Sequence, residues 1–103
     1  MYQTGGQKPG VKQDKGKLRW DLVDYESLEE MVGALMVGAE KYEKNNWQKV
    51  DNPKDRYFSA LMRHLVAWKN GEKTDEDGQS HIGAVMANAM FLSYFDRKDE
   101  ENG

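Results

Sequence analysis

Cysteine is absent from the sequence. That excludes a disulfide scaffold, thiolate-ligated zinc and thiol catalysis, and it agrees with a reducing compartment. No apolar run approaches the roughly 18–20 residues of a bilayer span, and the N-terminus carries no apolar signal core. The setting expected from this is the cytoplasm. Positive charge is not in excess either: the formal net charge is −3 and the isoelectric point is about 5.4. Proteins that live on duplex phosphates are usually basic, so general nucleic-acid binding is disfavoured. Apolar residues are also scarce, 38% against 32% charged in 103 residues. One domain fits that length. A chain of this size buries only about two-thirds of its unfolded surface, so its core is thin.

What is present divides the chain into three parts. Residues 1–23 form a polar, Gly-rich basic arm with Lys8, Lys12, Lys15, Lys17 and Arg19. It has no helical or strand period and reads as a loop or strap for an anionic ligand. Residues 24–95 are the helical domain, and residues 96–103 a solvated charged tail.

Three helices are expected in the domain. In the first, Leu28, Met31, Val32, Leu35, Ala39 and Tyr42 recur at three- and four-residue steps. Asp24 is suited to its N-cap, and Glu26, Glu29 and Glu30 favour its positive end. The second runs over 55–69 with Phe58, Leu61, Leu65 and Trp68 as its stripe, ending at Asn70-Gly71. The third follows Ser80 as N-cap to about Phe95, with Ile82, Val85, Met86, Ala89 and Leu92. The fold expected is an all-α antiparallel bundle of three main helices. Met36, Val37, Met90, Phe91 and Tyr94 widen the stripes beyond what three helices bury, so homo-oligomerisation is expected to complete it.

Several polar residues are not explained by the stripes. Glu40 and Glu43 have ExxE spacing, with both carboxylates on one side of a helix. Asn46-Trp47 offers an amide and an indole, the equipment for reading and stacking on a base. His64 lies on the face of Ala60 and Ala67, with Arg63 before it, and His81 shares a face with Ala84 and Asn88. A short connection makes the second and third helices antiparallel neighbours, which brings the two histidines within about a turn of each other. Between them, Glu72 and Asp75 have ExxD spacing. Hard oxygen ligands so spaced suit Mg²⁺ or Mn²⁺ bridging to phosphates. The basic segment with Lys12, Lys15, Lys17 and Arg19 offers positive charge for the same anion. No P-loop, GxGxxG motif or hydrolase nucleophile elbow is present.

Four segments resemble a known family. Gly10-Val-Lys12-Gln-Asp14-Lys15-Gly16-Lys17 is similar to its GxKxDxGK opening, and Gly38-Ala-Glu40-Lys41-Tyr42 with Asn46-Trp47 to its GAxKY…NW segment. Arg63-His64 through Ala67-Trp68, Gly71-Glu72 and Asp75 resembles RHxxAWxxGExxD. Gly78 to His81, with Asn88 two turns on, resembles SGxxH…N, with Asp77 where that pattern has Ser. The family is the phage dATP/dGTP diphosphohydrolase N-terminal-domain family, a relative of MazG-like all-α nucleotide pyrophosphohydrolases. The resemblance implies hydrolysis of a purine deoxynucleoside triphosphate to monophosphate and pyrophosphate, with Mg²⁺ or Mn²⁺, in phage nucleotide metabolism. It implies Glu40, His64, Glu72, Asp75 and His81 as catalytic, and Glu40, Glu43, Glu72 and Asp75 as metal ligands. Nucleotide contacts are expected from Lys12, Asp14, Lys17, Lys41, Asn46, Trp47, Arg63 and Asn88. The alternative function is a nucleotide-binding module without chemistry.

Overall fold

A computed structural model describes residues 13–102. Three α-helices make the architecture: α1 is Tyr25–Lys41, α2 is Pro53–Lys69 and α3 is His81–Asn102. Short 3-10 turns cover Trp20–Leu22 and Asn46–Gln48. No strand occurs among the described residues; the sole β feature is an isolated bridge between Thr74 and Ser80.

The helix ends follow local chemistry. Asp24 caps α1 by accepting from the Ser27 N–H at 3.1 Å. α2 starts two residues before the expected position: Asn52 turns the chain with φ 50°, and Pro53 takes the first helical position, where no N–H is missed. α2 ends in a Schellman turn. Gly71 sits at φ 100°, its N–H reaches the Trp68 carbonyl, and the Glu72 N–H reaches Ala67. Ser80 caps α3, its Oγ accepting from the Gly83 N–H at 2.9 Å.

The tail from residue 96 is helical to Asn102, which corrects the expected end near Phe95. Its charges are helix formers, and two of them are held from outside. Lys54 on α2 pairs with Asp96 and Asp99, and Lys98 pairs with Glu101.

α3 is the centre: both α1 and α2 pack on it. Lys54 lies against Asp96 while His64 lies against His81, so α2 and α3 run antiparallel. α1 crosses the start of α3 so closely that a Cβ at Gly83 would collide with the Glu30 carbonyl. Ser80 Oγ also donates to Glu30 at 2.6 Å there. At the other end Trp47 stacks on Phe91 at 4.5 Å and meets Tyr94 edge-on. Tyr57 joins the cluster through Phe91 and donates to the Trp47 carbonyl at 2.9 Å. These aromatics tie the α1–α2 connection to α3.

The core is thin, and α2 covers only part of the stripe expected of it: Leu61 and Leu65 are half-buried, the aromatic members are not. Phe58, Val66 and Trp68 are 57%, 50% and 45% exposed. The less exposed face carries Tyr57, Ala60, Leu61, His64 and Ala67. Small residues there face the same groove as Ala84 and Ala87 of α3, and the histidine contact and aromatic cluster lie on that side. Ala87, 4% exposed, is the one buried apolar side chain among the described residues.

Candidate functional site

A groove of about 870 Å³ runs between α1, the α1–α2 connection, α2 and α3. Its walls are mainly apolar, from residues such as Leu35, Ala39, Ala60, Ala84 and Ala87. Its charges are unbalanced: Lys44, Arg56 and Arg63 line it against a single carboxylate, Glu43. Glu43 is itself paired with Lys49 at 2.9 Å, and Arg56 with Asp51 at 2.9 Å. Asn88 lies deep in the wall, 7% exposed. Of the expected nucleotide contacts, Asn46, Trp47, Arg63 and Asn88 line this groove.

The others lie elsewhere. Lys41 is engaged by Asp77 at 3.0 Å, and that carboxylate holds its ammonium above the usual lysine range. Asp14 forms a turn in which its carbonyl accepts from the Lys17 N–H; neither residue lines the groove. Lys12 and most of the basic arm fall outside the described residues. Lys44 and Arg56 were not among the expected contacts. The signal for Arg56 was its spacing: Arg56, Ala60 and Arg63 share one face of α2 over two turns.

The two histidines form a second cluster beside the groove and do not line it. Their Nδ1 atoms are 2.9 Å apart. Burial, and then His81, push His64 below the ordinary imidazole value, with Asp75 opposing. His81 is 5% exposed. Its buried Nε2 has no hydrogen-bond partner among the described residues, and the Glu72 carboxylate stands 3.6 Å away. Asp75 shapes the adjoining loop, its Oδ1 accepting from the Asp77 N–H at 2.8 Å and the Gln79 N–H at 3.0 Å.

The expected metal shell is not assembled in one chain. Among the described residues no three His, Asp or Glu side chains gather closely enough to hold a metal ion. Glu43 belongs to the groove, whereas Glu72 and Asp75 belong to the α2–α3 loop, and one Asp75 oxygen is occupied by backbone N–H groups. Glu40 is exposed and does not line the groove. The four carboxylates of a single chain therefore do not fit a shared metal centre.

A family model described as "dATP/dGTP diphosphohydrolase, N-terminal" matches residues 7–103. The chain belongs to this family. A dATP/dGTP diphosphohydrolase of Salmonella phage PMBT28 is 32% identical to it over 84 residues. The alignment covers 81% of this chain and 28% of that relative, so the chain spans little more than a quarter of the relative's length. No solved structure matches. In this member of the diphosphohydrolase N-terminal family, the family-like residues fall in two places. Asn46, Trp47, Arg63 and Asn88 are on the groove, and His64, Glu72, Asp75 and His81 are around the α2–α3 loop. No described helix is long and apolar enough to cross a membrane.

Proposed function

We propose that this chain takes part in hydrolysing a purine deoxynucleoside triphosphate to the monophosphate and pyrophosphate, with the groove as its binding site. The observation that carries this reading is the charge of the groove. A chain of net charge −3 sets three cations against one carboxylate on an apolar cleft. That combination suits a ligand with a flat apolar part and an anionic part. In the reaction a water oxygen bonds to the α-phosphorus, the bridging oxygen leaves with pyrophosphate, and the water's proton passes to solvent or a base. Arg63 and Lys44 would stabilise the charge gathering on the leaving group.

The catalytic roles of Glu40, His64, Glu72, Asp75 and His81 rest on the resemblance. Mg²⁺ or Mn²⁺ is proposed on the same ground, and no step is assigned to it here because one chain does not assemble its ligands. A homo-oligomer is supported by the apolar side chains left in solvent, Met36 at 67% and Phe58 at 57% among them. The setting proposed is the cytoplasm of a phage-infected bacterium.

The test is incubation with dATP, dGTP and the other triphosphates plus Mg²⁺, with separation of the products. Monophosphate and pyrophosphate in equal amounts are expected. Glu40→Ala and Asp75→Ala should each abolish turnover while helix content survives; full activity in both removes them from the site. The second reading, a binding module without chemistry, is favoured by the dispersed carboxylates. Nucleotide binding with no product from any triphosphate would establish it.

A further inference from the structure

We propose that the groove takes its nucleotide base-first, with Asn88 anchoring the base from within and Arg63 holding the phosphates at the rim. This rests on the reading of the groove as a nucleotide site and adds an orientation and a base-anchoring residue to it.

The argument starts from the amide of Asn88. It is 7% exposed and lines the groove. Its Nδ2 donates one hydrogen to the Ala84 carbonyl at 2.8 Å, one turn back on α3. An amide carries two N–H donors and one carbonyl acceptor. One N–H and the Oδ1 are therefore left with no protein partner among the described residues. The Ala84 bond fixes which end of the amide donates. The Oδ1 is not among the buried side-chain atoms that lack a partner, so it is reached by solvent and a ligand can meet it.

The pair also distinguishes between the two halves of a nucleotide. A phosphate at neutral pH offers acceptors alone and cannot satisfy the Oδ1. A nucleobase edge offers a donor beside an acceptor, as adenine does at N6 and N7. The cations have the opposite placement. Lys44, Arg56 and Arg63 are all solvent-exposed. Among them Arg63 and Lys44 have no side-chain ion pair or hydrogen bond with a described residue, and the guanidinium fork of Arg63 is the better match to a phosphate. Between the two ends the walls at Ala60, Ala84 and Ala87 are small enough to admit a flat ring. Trp47 is not the stacking platform, because its ring already lies on Phe91 at 4.5 Å and meets Tyr94 at 4.8 Å.

The test compares three probes by titration calorimetry: a dATP analogue with a methylene α,β-bridge, deoxyadenosine, and inorganic tripolyphosphate. Asn88→Leu, which removes the amide without adding charge, should weaken the analogue and deoxyadenosine about tenfold or more and leave tripolyphosphate unchanged. Arg63→Gln should weaken the analogue and tripolyphosphate and leave deoxyadenosine unchanged. The proposal is overturned if Asn88→Leu lowers tripolyphosphate affinity as much as analogue affinity, or if it changes neither. Should that variant fail to fold, the side-chain amide resonance of Asn88 is followed in the wild-type protein. It should shift with deoxyadenosine and not with tripolyphosphate, and the reverse pattern overturns the proposal. If the analogue and tripolyphosphate bind equally and Asn88 is silent, the orientation fails while the nucleotide site survives. If none of the three probes binds, the nucleotide site itself fails.

Discussion

The Nδ1 atoms of His64 and His81 face each other at 2.9 Å between α2 and α3. One ring must donate and the other accept, which two neutral imidazoles can do and two imidazolium ions cannot. Burial and the second ring lower the His64 pKa from its ordinary value of 6.5. Below that value the unfolded chain takes up the proton more readily than the folded one. Stability is therefore full above about pH 6.5 and falls as the pH drops toward the lowered folded value. Melting temperature measured from pH 8 to pH 5 should decline below 6.5, and His64→Gln should flatten the decline. A wild-type profile that rises as the pH falls would contradict the lowered His64 pKa.

Gly83 is where α1 crosses α3. A Cβ there would meet the Glu30 carbonyl, with its carbon only 2.7 Å away. Gly83→Ala should cost about 1–3 kcal/mol in denaturant unfolding, since backbone cannot yield as a side chain can. Gly33→Ala serves as the contrast. Its Cβ would meet the flexible end of Gln79 at 3.3 Å, and the gain in helix propensity, up to about 1 kcal/mol, offsets that contact.

Asp75 can be separated into two roles by a conservative change. Its Oδ1 accepts from two loop N–H groups, those of Asp77 and Gln79. Asn keeps that oxygen and loses the charge, whereas Ala loses both. If Asp75 acts by shaping the loop, Asp75→Asn stays close to wild type in melting temperature and turnover, and Asp75→Ala loses about 1–2 kcal/mol of stability. Turnover lost in Asp75→Asn with stability intact would assign the carboxylate a chemical role.

Trp47 closes the far end of the bundle against Phe91, Tyr94 and Phe95. Trp47→Ala should cost roughly 2–3 kcal/mol, near the lower end for an aromatic that is not fully buried. Trp47→Phe should recover most of that and leave nucleotide affinity unchanged, read by thermal unfolding and by titration of the same sample.

Much of this fold was legible because local chemistry decides it. Asp24, Ser80 and Asn70-Gly71 mark helix ends by capping alone, and a short connection makes α2 and α3 antiparallel, which brings His64 to His81. The face that α2 turns inward was not legible. Of the apolar stripe Phe58, Leu61, Leu65 and Trp68, the two leucines are half-buried while Phe58 and Trp68 stay exposed, because the side with small residues, His64 and Tyr57 packs on α3, where close approach and specific contacts outweigh hydrophobicity. The split of the candidate site has a related cause. Glu40, Glu43, Glu72 and Asp75 pair well as spacings along a helix. The sequence already places the last two in the connection after Gly71, but spacing does not report that backbone N–H groups occupy Asp75, nor that Lys49 and Asp77 take up Glu43 and Lys41.

Because α1 and α2 both rest on α3, the groove is also the gap between two arms joined at a common spine. Glu30, Ser80 and Gly83 fasten one arm near the start of α3, and the aromatics fasten the loop between the arms farther along it. A molecule filling the gap would touch all three helices at once. It would act as the missing piece of the hydrophobic core as well as cargo, and unfolding midpoints should rise with its concentration.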